Sequence, residues 1–148
     1  MADFLTALQI SASGLSAQRE RVTIASSNLA NAESTRGPDG QPYRRRDPVF
    51  AAKAFSGALD AASASQPGDP SPALGVEVSK VVEDQTPGRK VYAPGHPDAD
   101  GDGFVTFPNV NPINETVNLM SGSRGYEANA TAVDTLKTMA TRALDIAR

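Results

Sequence analysis

Leu8, Leu15, Val22 and Leu29 stand seven residues apart near the start of the chain, with Phe4, Ala12 and Ala25 beside them. That spacing is the stripe of one apolar helix face and predicts a helix from Asp3 to about Asn31. A second set, Ile10, Ala17 and Ile24, repeats at the same interval two positions on. Two residues turn an α-helix by about 200°, so this set lies nearly opposite the first. Such a helix needs neighbours on both sides. Near the other end Asn111 is a favourable N-cap and Pro112 suits the first helical position. The helix that follows is expected to run to the end of the chain. Leu119, Tyr126, Val133, Leu136, Ala140, Ala143 and Leu144 share one broad face, widened by Met139 and Ile146, while Glu127, Asp134, Arg142 and Asp145 lie on the other. The expected packing sets Val133 and Leu136 against Leu15 and Val22. Gly122 and Gly125 interrupt this helix at about 1 kcal/mol each relative to alanine. They predict either a later start or another backbone packed closely there.

Between the helices the pattern changes. All 11 prolines lie between Pro38 and Pro112. "GVEVSKVVE" (75–83) alternates apolar and polar residues, and "RKVYA" and "GFVTF" are short, β-branched and aromatic, which predicts three or four short strands. "DAASASQPGDPSPALG" (60–75) has nothing to bury and reads as a flexible loop or insertion. The fold class is therefore α+β: long N- and C-terminal helices pairing as an antiparallel, coiled-coil-like layer, with a small β-rich centre. The expected divisions are 1–34 for the N-terminal helix, 35–110 for the central region with its insertion at about 56–74, and 111–148 for the C-terminal helix. The apolar side chains of the first helix are too few to offset the ordering of its whole length, so the ends are expected to become helical only among copies or partners.

Composition narrows the function. A formal net charge of -3 argues against a nucleic-acid partner, and the one basic run, "YRRRD" (43–47), reads as a solvated loop or strand edge. Zero cysteines exclude disulfides and thiolate chemistry. No secretory signal is expected at the start, because Asp3 is acidic and Thr6, Gln9, Ser11 and Ser13 break the apolar run. No membrane span is expected either. "HPDADGDGFVTFPN" (96–109) begins like a calcium loop, with Asp98, Asp100, Asp102 and Gly103 in place. Its twelfth position is Asn109 where a bidentate Glu belongs, and Pro94, Pro97 and Pro108 deny the flanking helices. A turn held by Asp-to-backbone hydrogen bonds and a positive-φ glycine is the expected structure, with a calcium-regulated binding module as the alternative reading. The lone His96 sits in a loop, and no acid, base and nucleophile converge in the pattern, so neither an enzyme nor a cofactor is expected.

The two ends together resemble a known family. "SASGLSAQRERVTIASSNLANAEST" (11–35) is similar to the N-terminal signature of the bacterial flagellar axial proteins, with Asn28, Leu29, Ala30 and Asn31 as its N-x-A-N segment and Thr35 four positions beyond. "SGSRGYEANATAVDTLKTMATRALDI" (121–146) resembles the C-terminal signature, with Ser123, Arg124, Tyr126, Glu127, Ala128 and Asn129 at its core. "PYRRRDPVF", the aspartate loop and the short chain resemble the proximal rod members rather than the longer distal rod or hook proteins, which stay as alternatives. The resemblance implies a structural subunit assembling helically into the rod that crosses the periplasm, with its terminal helices paired around the export channel. Implied partners are further copies, other rod proteins, the ring-rod junction protein and the flagellar type III export apparatus. The implied assembly surface comprises Leu8, Ile10, Leu15, Val22, Ile24, Asn28, Leu29 and Asn31 on the first helix, and Leu119, Arg124, Tyr126, Asn129, Val133, Leu136, Met139 and Leu144 on the second.

Overall fold

The computed structural model describes residues 2–37, 39–54 and 74–146. Helix α1 spans Ala2–Ala30 and helix α2 spans Pro112–Ile146. Between them lie β1 (Arg46–Ala54), β2 (Leu74–Glu83), β3 (Arg89–Tyr92) and β4 (Phe104–Phe107). The strands form two separate two-stranded sheets, β1 with β2 and β3 with β4. The α+β class holds. β1 was not anticipated: it begins at Arg46, inside the run read as a loop or edge, and Pro48 lies within it. Almost the whole of the 56–74 stretch lies outside the described residues.

The chain divides into two units. The first contains Met1–Glu20, Phe50–Ser79 and Gly122–Arg148. There the helices run antiparallel, with Gly14 against Asn129 and Gln18 against Gly125. α2 starts at Pro112, so the helix does not begin late, and at Gly125 the nearest neighbour is the Gln18 side chain. The register also corrects the expected packing: continued toward the α1 N-terminus, it brings Val133 and Leu136 level with residues 7–10, not with Leu15 and Val22. Ala17, from the second apolar set, is buried, whereas Leu8 and Leu15 of the first are half-buried. The side of α1 that meets α2 carries Gly14 and Gln18, with Ala17 on one flank and Leu15 on the other. Ser13 joins the sheet to the helix: its Oγ accepts the Val76 backbone N–H at 3.1 Å and donates to Ile10 O at 2.7 Å.

The second unit contains Arg21–Val49 and Lys80–Ser121. Its apolar centre is Ile24, Ala25, Ala32 and Val105. Strands β3 and β4 pair antiparallel from Arg89↔Phe107 to Tyr92↔Phe104, and the Tyr92 and Phe104 rings meet edge-on, centroids 5.3 Å apart. The connection between them is the aspartate loop. Asp100 Oδ1 accepts the amides of Asp102 (3.1 Å) and Phe104 (2.8 Å), and Gly103 takes φ 79°, the left-handed region that glycine enters freely. The turn expected from Asp and Gly chemistry is the one present. α2 opens as expected, with Asn111 Oδ1 accepting the Ile113 amide at 3.0 Å and Pro112 following it.

After β2, Asp84 Oδ1 accepts both the hydroxyl (2.6 Å) and the amide (2.9 Å) of Thr86. These bonds favour the carboxylate and hold its pKa below the ordinary Asp value. A depressed pKa stabilises the turn fully above the unfolded-state value, and that stabilisation is lost as pH falls through the lower folded value. An NMR acid titration should therefore find Asp84 below the ordinary carboxylate range, and Thr86→Val, which removes the hydroxyl bond, should raise it toward that range.

Candidate functional site

The second unit holds two fully buried polar side chains, Asn28 and Glu115, each 1% exposed. A buried carboxylate is costly unless its charge and lone pairs are answered. Here each oxygen has a partner. Arg45 Nε donates to Glu115 Oε1 at 2.7 Å, and Asn28 Nδ2 donates to Glu115 Oε2 at 3.1 Å. The N-cap brings Glu115 to this place, one turn after Asn111, where the helix N-terminus also favours a negative charge.

Asn28 sits in the last turns of α1 and uses its whole amide. Nδ2 also donates to Arg46 O at 2.8 Å, while Oδ1 accepts from the Arg46 amide at 3.0 Å and the Tyr43 hydroxyl at 2.9 Å. Two donors and two acceptors are all an asparagine amide has. By exchanging bonds with both backbone groups of Arg46, Asn28 acts on the first residue of β1 as a neighbouring strand would.

Arg45 completes the cluster. It pairs with Asp47 as well as Glu115, and its backbone amide donates to Asn109 Oδ1 at 3.1 Å. Burial works against its charge, but the hydrogen bonds and charges of Glu115 and Asp47 outweigh that and hold its pKa above the ordinary arginine value. The reading of 43–47 as solvated thus fails at Tyr43 and Arg45, and holds for Arg44 and Arg46, which are exposed. The missed signal was alternation: Tyr43, Arg45 and Asp47 point one way along an extended chain, and Arg44 and Arg46 the other. Glu115 was missed because nothing local marks an acid in a first helical turn as buried.

Of the expected assembly residues, Ile24 and Asn28 are buried, Leu8, Ile10, Leu15, Val22, Leu29, Asn31, Leu119, Asn129, Val133 and Leu136 are half-buried, and Arg124, Tyr126, Met139 and Leu144 are exposed. The loop aspartates do not converge. Asp98 accepts from Thr35 Oγ1 at 2.7 Å and pairs with Arg36 at 3.5 Å, while Asp100 serves backbone amides. No three His or acidic residues among those described could hold an ion together.

The ends that meet in this cluster also match known proteins. The family described as flagella basal body rod protein matches residues 8–38, and that described as flagellar basal body rod FlgEFG protein C-terminal matches residues 102–146. The chain is 43% identical over 142 residues to the flagellar basal-body rod protein FlgC of Escherichia coli and 44% to that of Salmonella typhimurium, with 96% of each chain covered. It is 42% identical over 147 residues to FlgC of Bacillus subtilis, covering 95% of this chain and 96% of that one. The chain belongs to the FlgC family of flagellar basal-body rod proteins. In this FlgC-family chain Asn28 lies in the first matched segment and Glu115 in the second, so their hydrogen bond joins the two, and the intervening segment contributes Tyr43 and Arg45. Among the described residues no helix is long and apolar enough to cross a membrane.

Arg45→Met would leave Glu115 buried without its cation and should destabilise the second unit by about 3 kcal/mol, the lower end for a broken buried pair because Arg45 is partly exposed. Arg45→Met with Glu115→Gln should cost less than Arg45→Met alone, since the amide still accepts from Asn28 and carries no charge. Urea unfolding followed by circular dichroism measures both.

Proposed function

We propose that the chain is a structural subunit of the flagellar basal-body rod, assembling helically with further copies and with other rod proteins. The observation that carries this is the outer surface of its helices. Ile113, Val117 and Met120 recur at helical spacing on α2 with 74%, 60% and 52% of their surface exposed, and Leu5, Met139 and Leu144 are exposed as well. A chain that stays alone seldom presents a row of large apolar side chains along a helix, and rows of this kind mark protein-protein contact. The two-sided apolar pattern of α1 supports the same reading.

On this reading the rod crosses the periplasm as a drive shaft, the paired helices enclose the export channel, and the ring-rod junction protein and type III export apparatus are partners in assembly and delivery. The role asks for stiffness and specific contacts and needs no cofactor. Ends that order fully only on assembly would suit export as an unfolded chain. Amide exchange in residues 3–31 and 117–146 is then faster in dilute monomer than in isolated basal bodies.

Val117→Asp tests the assembly reading directly. Val117 is exposed, so the chain's own packing is spared, but in an assembled interface the substitution buries an unpaired charge at several kcal/mol. Cells carrying it as their sole copy should export the protein yet make no hook and not swim. Asp100→Ala, confined to the β3–β4 loop, should leave swimming intact. Normal swimming with Val117→Asp would overturn the proposal.

A further inference from the structure

Two glycines and two amide side chains meet reciprocally in the first unit. A Cβ on Gly14 would stand 2.9 Å from Asn129 Oδ1 and 3.0 Å from both Cγ and Nδ2, so the amide lies flat over the glycine. A Cβ on Gly125 would stand 2.9 Å from Gln18 Cδ. The halves are linked, because Asn129 Nδ2 donates to the Gly125 carbonyl at 2.9 Å. Gln18 Oε1 is buried with no donor among the described residues.

We propose that Gln18 with Gly125 and Asn129 with Gly14 form a lock that determines the register of α1 on α2. The spacing is four residues on both helices, so each helix carries one knob and one hole, in opposite order. A slip of one turn in one direction would set Gly14 against Gly125, leaving a void, and press the Asn129 amide against Ile10. A slip the other way would drive Gln18 and Asn129 into each other. Only the observed register fills both holes. Side chains of ordinary size at all four positions would discriminate far less, since apolar helix faces tolerate alternative packings of similar volume. The lock deepens the rod reading, because register decides where the exposed apolar side chains of this unit stand for a neighbour. It rests on that reading only for its purpose, not for its geometry.

The native chain has no cysteine, so engineered pairs report register without interference. Ile10→Cys with Val133→Cys matches the observed register, and Thr6→Cys with Val133→Cys matches a one-turn slip. Intrachain disulfide is read on non-reducing gels from cells expressing the full chain, whether or not they swim. The matched pair should cross-link and the slipped pair should not. Gly14→Ala should lower the matched yield relative to the slipped one by about tenfold, a typical coupling for side chains in contact. Adding Asn129→Ala should restore the matched bond, because it removes the amide that the new methyl strikes. Gln18→Ala, which adds no bulk, should by itself raise the slipped yield. An absent matched bond in the parent, an unchanged ratio in Gly14→Ala, or no recovery in the double variant would overturn the lock. Normal swimming in a variant that has lost the matched bond would instead count against the rod reading.

Discussion

The buried Glu115 carboxylate is the constraint around which the second unit is organised. An ionised acid removed from water must be answered on both oxygens, and Arg45 and Asn28 do so from opposite directions in the sequence. Once Asn28 is held there, its remaining amide valences specify Tyr43 and the start of β1. Partly satisfied polar clusters are worse than apolar ones, whereas a filled one admits few alternatives. A unit with so small an apolar centre gains a unique arrangement from hydrogen bonds where a larger domain would gain it from volume.

The first unit reaches specificity differently. Its helices meet through glycine and amide, a contact that depends on shape and costs helix propensity at Gly14 and Gly125. Among the described residues, Leu5, Met139 and Leu144 of this unit stay exposed, and Leu8 and Leu15 stay half-buried. In the proposed rod these side chains belong to the working surface, and the division between inward small residues and outward large ones is what lets the subunit both fold and assemble.

The aspartate loop shows how a ligand-like motif can be spent internally. Asp98, Asp100 and Gly103 have the residue types of a calcium loop, but Asp100 bonds forward to its own turn and Asp98 reaches back to Thr35 and Arg36 just beyond α1.

Periodicity, caps and turn chemistry were enough to place both helices, three of the four strands, the Asn111 cap and the Asp100–Gly103 turn, because each depends on residues within a few positions of one another. The paired terminal motifs were enough to reach the family. The contact of Gly14 and Gln18 with α2, the register that brings residues 7–10 level with Val133 and Leu136, and the burial of Glu115 and Arg45 were decided only in the tertiary structure. Those outcomes turn on distances between groups 70 or more residues apart, such as Arg45 to Glu115. A heptad stripe states that a helix has a face, but the depth to which another helix can approach it depends on glycines and amides on both, and no local pattern carries that sum.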